Sequence, residues 1–172
     1  MALTRQSSTK HSATKQPPSY TFFTDADLGR YIIPDALVGA GFSVVRHHER
    51  FPNAPNIPDP EWFPVIAREG WIALTKDKRQ LYDHVDAAME CGLALFMHIG
   101  EMAHPQIAES LVMAAPSILR LRARNEPPFL AKVYRPEQKT PFLRKPGVVK
   151  IVMTYAEWLE ERRGGTKKGR RR

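Results

Sequence analysis

Between residues 20 and 100 the chain alternates short apolar runs of aromatic and β-branched residues with segments of helical spacing, and two of those runs lead straight into aspartates. The runs are YTFFT (20–24), FSVVRHH (42–48), WIALT (71–75) and GLALFMHI (92–99), and each reads as a strand. A strand–helix–strand rhythm of this kind is the signature of parallel α/β organisation, so one compact α/β domain with a parallel sheet is expected over about residues 20–135. A chain of 172 residues, 42% hydrophobic, suits one such domain with a real core; two independent domains would leave each marginal.

The intervening segments carry their own punctuation. Leu28, Ile32, Leu37 and Ala40 lie at loosely helical spacing, with Pro34 in an early turn and Gly39 and Gly41 marking the end, which predicts a helix over 29–38. Four prolines and two asparagines between 49 and 60 predict an ordered loop. Asp59 then reads as an N-cap with Pro60 at the first helical position, and the helix should run to Glu69 before Gly70. Further helices are expected over Leu81–Glu90 and over 103–124, where Pro116 should kink or divide the second. FLAKVYRP (129–136) and GVVKIVMT (147–154) read as strands, either a hairpin or a late addition to the sheet, and YAEWLEERR closes the structured part as an amphipathic turn or two.

The formal charge of +8 is unevenly placed. Residues 1–19 and 162–172 hold ten Lys and Arg and no acid, leaving sixteen cations against eighteen acids in between. The body is mildly acidic, and both ends read as flexible basic tails; the terminal GGTKKGRRR is suited to a polyanion, to a membrane surface or targeting role, or to plain solvation. No apolar stretch approaches the roughly 20 residues that span a bilayer, and the N-terminus lacks the apolar core of an export signal, so a soluble protein outside the membrane is expected. Cys91 is the single cysteine and sits among apolar neighbours, which excludes an intrachain disulfide and a cysteine zinc site and makes a reducing cytoplasm the default.

In parallel sheets the ligand crevice lies outside the carboxyl ends of the strands. Asp25 and Asp27 follow the first strand and Asp77 follows the third, so neighbouring strands would bring carboxylates fifty residues apart to one edge. If the strand geometry continues through DAD, alternation points Asp25 and Asp27 the same way. Asp59 and Glu61, in the first turn of the helix after the proline loop, could face the same crevice. Clustered carboxylates repel one another unless a hard cation sits between them, and Mg²⁺ or Mn²⁺ with oxygen ligands would suit phosphodiester hydrolysis. Each acid also has a structural role open to it: Asp27 and Asp59 as helix caps, Asp77 as a turn acid beside lysines.

FFTDADLGR (22–30), GFSVVRHHERFP (41–52), DPEWFPVIAREGWIALTKDKR (59–79) and GLALFMHI together resemble the PIN-like domains grouped with VapC-type toxins, with a match in element order over about residues 20–135. The resemblance implies a three-layer α/β domain around a central, mainly parallel sheet, with 136–161 as a C-terminal strand and short helix extension. It implies an Mg²⁺- or Mn²⁺-dependent ribonuclease in which Asp25, Glu61 and Asp77 match the catalytic acids. Asp27 stands as an auxiliary ligand and Asp59 competes with Glu61. The resemblance further implies a small antitoxin partner and allows a homodimer. Where larger PIN domains supply a fourth acid, MHIGEM offers only His98 and Glu101, out of register.

Around these acids, Lys76, Lys78 and Arg79 could hold a phosphate backbone, and Arg46, His47, His48 and Arg50 could rim an RNA groove. Arg120 and Arg124 share a helical face and offer a side wall for RNA, or simply the wet side of that helix. Adjacent histidines chelate one ion poorly, which argues against zinc at His47 and His48. Trp62, Trp71 and Trp158 sit among apolar neighbours and read as packing anchors. Two rival functions are a haloacid-dehalogenase-type phosphatase using the DxD pair, for which the chain leaves little room for a cap, and a PIN-like module that binds nucleic acid or a protein without turnover.

Overall fold

The computed structural model describes residues 19–78, 82–140 and 143–168. Six strands form one sheet: β1 (Thr21–Thr24), β2 (Ser43–Arg46), β3 (Ile72–Thr75), β4 (Ala94–Ile99), β5 (Phe129–Tyr134) and, after the hairpin strands β6 (Glu137–Thr140) and β7 (Leu143–Lys145), β8 (Val149–Thr154). Their order is β2-β1-β3-β4-β5-β8, with β1 to β5 mutually parallel and β8 antiparallel to β5. The chain leaves β1 for β2 on one side and returns to place β3 on the other. That reversal makes the carboxyl ends of β1 and β3 a topological switch point, where open α/β sheets hold their ligands.

Alternation along the strands divides the core in two. Phe22, Ile72, Leu74, Phe96 and Phe129 face helices α1 (Ile32–Gly39) and α5 (His104–Arg124), where Ile33, Leu37, Ile107, Leu111 and Ile118 meet them. Phe23, Ala73, Leu95 and Leu130 face the other way, onto Trp62, Phe63 and Ile66 of α3 (Asp59–Glu69) and Ala88 and Met89 of α4 (Val85–Cys91). Trp158, from the closing helix α6 (Tyr155–Lys168), joins this second layer and donates its indole N–H to Asp86 at 2.7 Å. The result is a mainly parallel sheet flanked by helices on both faces, the expected three-layer α/β fold. Among the described residues no helix is long and apolar enough to cross a membrane.

Several local expectations shift. The second strand ends at Arg46, and His47–Arg50 form a short helical turn, α2, because His47 turns inward against Phe23 and Phe51. Pro58, not Asp59, caps α3, so Asp59 is already its first residue. Pro116 does not divide α5: the helix runs for 21 residues, held by Ala114, Ala115 and Ile118 on its buried face while Pro116 lies exposed. Of the two arrangements open to the last strands, β8 is the late addition to the sheet, antiparallel to β5, and the unexpected β6 and β7 form an insertion between them. Residues 162–168, expected as an unstructured tail, continue α6; Arg162 pairs with Glu90 at 2.6 Å and lies over the Trp158 ring. Residues 1–18 and 169–172 of the expected tails lie outside the described residues, as do Arg79 and the start of the helix expected from Leu81.

Pro116 lacks the N–H that would donate within α5, and nothing packs over its exposed ring. Pro116→Ala is expected to stabilise the protein by about 1–3 kcal/mol, read from the urea midpoint.

Candidate functional site

The switch point is built from three side chains. Asp25 leaves β1 with its N–H still in the ladder, donating to the Leu74 carbonyl at 3.0 Å. Its Oδ1 accepts from the Ala26 N–H at 2.6 Å and so caps a 3-10 turn, Ala26–Leu28. The DAD stretch is therefore not extended. The turn, not strand alternation, brings Asp27 beside β3, where its Oδ2 accepts from the Lys76 N–H at 2.8 Å. The Thr75 hydroxyl lies between the two acids, 3.2 Å from Asp25 Oδ2 and 3.2 Å from Asp27 Oδ2, and it accepts from the Asp77 N–H at 3.0 Å.

One hydroxyl carries one hydrogen, so Thr75 can satisfy only one of those carboxylates at a time. Asp27 Oδ1 is buried with no hydrogen-bond partner. Burial, and after it the charge of Asp25, push the Asp27 carboxyl up to about 7 against the opposing pull of the Lys76 N–H, the Thr75 hydroxyl and the Lys76 ammonium. Asp27 is thus an under-satisfied carboxyl beside a second acid.

Beside it opens a cavity of about 510 Å³, with Asp27, Lys76, Asp77 and Lys78 on one side and His98, Glu101, Met102 and Ile107 on the other. The Lys76 ammonium reaches His104 Nε2 at 3.0 Å. The same imidazole packs on Gly29, where φ is +78° and a Cβ would come within 3.2 Å of the ring. Gly29 therefore lets the turn carrying Asp27 and the start of α5 approach. His98 is buried, with Nε2 2.9 Å from the Ser110 hydroxyl and Nδ1 without a partner, and burial lowers its pKa to about 4.

Of the expected acids, the fold brings Asp25, Asp27 and Asp77 to one hydroxyl, Asp77 through its backbone. Asp59 lies nearby: with Asp25 it acts electrostatically on His47, whose pKa burial lowers while these two carboxylates raise it. The Asp59 carboxylate accepts from the Trp62 indole N–H at 3.1 Å and lies 4.0 Å from His84 Nε2. Glu61 does not join them. It is exposed, because α3 turns Trp62, Phe63 and Ile66 to the sheet and leaves Glu61 on the outer side. The expected five-carboxylate shell is not assembled: among the described residues no group of three or more His, Cys, Asp or Glu side chains is placed to hold a metal ion.

The expected cations also separate. Lys76 and Lys78 line the cavity. Arg46 is occupied elsewhere, with its guanidinium donating to Asp35 at 2.5 Å and to Glu49 at 2.6 Å. Arg120 and Arg124 lie at the far end of α5; Arg120 is sixteen residues beyond His104, about 24 Å along the axis, and cannot wall this crevice. Arg79 lies outside the described residues. Thr75 and His104 escaped sequence reading, whereas His98, noted there as out of register, lines the cavity. Only Thr75 left a signal, as the strand-end hydroxyl two residues before Asp77, on the same side by alternation.

A hard cation that keeps most of its waters needs only one or two carboxylates. The Asp25 and Asp27 carboxyls, which share one hydroxyl and include a buried Asp27 oxygen without a partner, fit that demand. Without a cation the same pair should cost stability. Asp27→Asn is expected to raise the urea stability in EDTA at pH 8 by about 2 kcal/mol.

His98 works in the opposite direction on acidification. Its folded pKa lies below the ordinary value of 6.5, so its contribution is present above pH 6.5 and is lost as pH falls toward 4, when the unfolded chain binds the proton first. Wild-type protein should lose up to about 3 kcal/mol over that interval relative to His98→Gln, as followed by urea unfolding at stepped pH.

Comparison with curated proteins and with solved structures finds no match. Residues 20–99, from β1 through β4 and including Asp25, Asp27 and Asp77, match the family model of a PIN like domain.

Proposed function

We propose that this chain is a divalent-cation-dependent ribonuclease that hydrolyses RNA phosphodiester bonds at the crevice between β1 and β3. The observation that supports this most is the Asp25 and Asp27 pair around the Thr75 hydroxyl, at the switch point of a PIN-like sheet. Asp25 and Asp27 would hold Mg²⁺ or Mn²⁺, with Asp77 lining the same cavity. When bound, such an ion polarises a phosphoryl oxygen and lowers the pKa of a water molecule.

The remaining work falls to the chain's own groups. Thr75 and the Lys76 N–H orient Asp27, while the Ala26 N–H orients Asp25. Lys76, steadied by His104, and Lys78 present ammonium groups to a phosphate in the cavity. Met102 and Ile107 line its far side with apolar surface, beside the buried His98 and Glu101.

The resemblance to VapC-type toxins extends this reading to the toxin of a toxin–antitoxin pair, held silent by a small antitoxin in the cytoplasm. The exposed Glu61 supports a second reading, a PIN-like module that binds RNA or a partner protein without turnover. RNA cleavage separates the two. Wild-type protein is expected to cut a mixed single-stranded and structured RNA pool with Mn²⁺ or Mg²⁺ and not with EDTA, and Asp25→Asn should cut about 100-fold more slowly or less. A folded wild type that makes no metal-dependent products would favour the binding module.

A further inference from the structure

The β6–β7 hairpin lies beyond the stretch that matches the PIN-like family and stands at the carboxyl end of β5, the same end of the sheet as the acidic crevice. Ile99 pairs with Tyr134, so the following residues, Gly100 and Arg135, come side by side, and a Cβ on Gly100 would lie 4.0 Å from Arg135 Cδ. Gly100 lines the carboxylate cavity. Arg135 lines a second groove of about 530 Å³, together with Tyr134, Glu137, Lys145, Val148 and Lys150. Gly100 and Arg135, neighbours across the strand ends, thus each line one of the two hollows.

That groove has a defined shape and an unusual charge state. The chain enters β8 through Gly147, packed so closely that a Cβ there would lie 1.6 Å from the Tyr134 carbonyl oxygen, and the Tyr134 N–H donates to the Val148 carbonyl at 2.9 Å. Most arginines elsewhere that reach an acid are neutralised: Arg46 by Asp35 and Glu49, Arg144 by Glu109, Arg162 by Glu90. Among the described residues Arg135, Lys145 and Lys150 make no ion pair, and all three are exposed around a groove with one acid, Glu137. Tyr134 adds an aromatic ring that is 38% exposed.

Unpaired cations beside an open aromatic ring suit a single-stranded nucleic acid, whose phosphates need charge and whose unpaired bases need a stacking surface. We propose that the hairpin groove is the second half of a single-stranded RNA track, in which the strand passes from the carboxylate crevice across Arg135. Its phosphates lie against Arg135, Lys145 and Lys150, and one base stacks on Tyr134. The proposal rests on the nuclease reading for what happens in the crevice, but binding in the groove requires no turnover.

The test uses the full chain in EDTA with a fluorescent, uridine-rich single strand of about twelve nucleotides carrying 4-thiouridine, followed by polarisation across a salt series and by ultraviolet crosslinking. R135Q/K145Q/K150Q is expected to flatten the dependence of log affinity on log salt by about 2, the share of three phosphate contacts on a single strand. Y134L should bind roughly tenfold more weakly with the slope unchanged, and should lose the crosslink to the peptide holding position 134.

Unchanged affinity and slope in the triple variant, or crosslinks confined to residues 162–172, would overturn the proposal. So would a triple variant that keeps RNA but loses an acidic polyglutamate peptide, which would assign the groove to a protein partner. Metal-dependent cutting is scored separately, so a wild type that binds along the groove but never cuts would fail the nuclease reading and leave the track standing.

Discussion

The site depends on the parallel pairing of β1 with β3. Register places Thr24 opposite Leu74, and the Asp25 N–H continues the ladder onto the Leu74 carbonyl. Residues fifty positions apart in sequence are thereby fixed side by side by backbone bonds, before any side chain is considered. Thr75 then has no choice but to project its hydroxyl between Asp25 and Asp27, and the crevice follows from the topology reversal at β1.

What the fold places there runs against its own stability. Two carboxylates share one hydroxyl hydrogen, one oxygen of Asp27 has no partner, and a neutral buried histidine stands with an unpaired Nδ1 at the far wall. Such conflicts are tolerated because the two apolar layers beneath are continuous and well filled, from Phe22, Phe96 and Phe129 on one face to Phe23, Trp62 and Phe63 on the other. Under-satisfied groups such as Asp27 Oδ1 and His98 Nδ1 beside one cavity are the pattern expected where a ligand supplies the missing partner.

The C-terminal third gives this core its breadth and the crevice its neighbour. β8 closes the edge of β5, Trp158 seals the second layer through Asp86, and the hairpin between β5 and β8 stands over the end of the sheet that carries the acids. Gly147 makes that arrangement possible, since no side chain fits against the Tyr134 carbonyl.

The six strands of the main sheet and the position of Asp25, Asp27 and Asp77 after strands were legible in the sequence, because they depend on local patterns: apolar runs, Gly and Pro punctuation, and acids following apolar runs; β6 and β7 were not. Which acids meet was not legible. Asp27 arrives through a 3-10 turn instead of strand alternation, and Glu61 faces solvent because its helix is rotated by the burial of Trp62, Phe63 and Ile66. Arg46 and Arg120 looked equivalent to Lys76 as cations, yet one is held by Asp35 and Glu49 and the other sits a helix length away. Local sequence determined the elements and their buried faces; helix rotation, the length of α5 and the insertion beyond β5 are set by contacts between distant segments, so the tertiary structure alone decided which charges share the crevice.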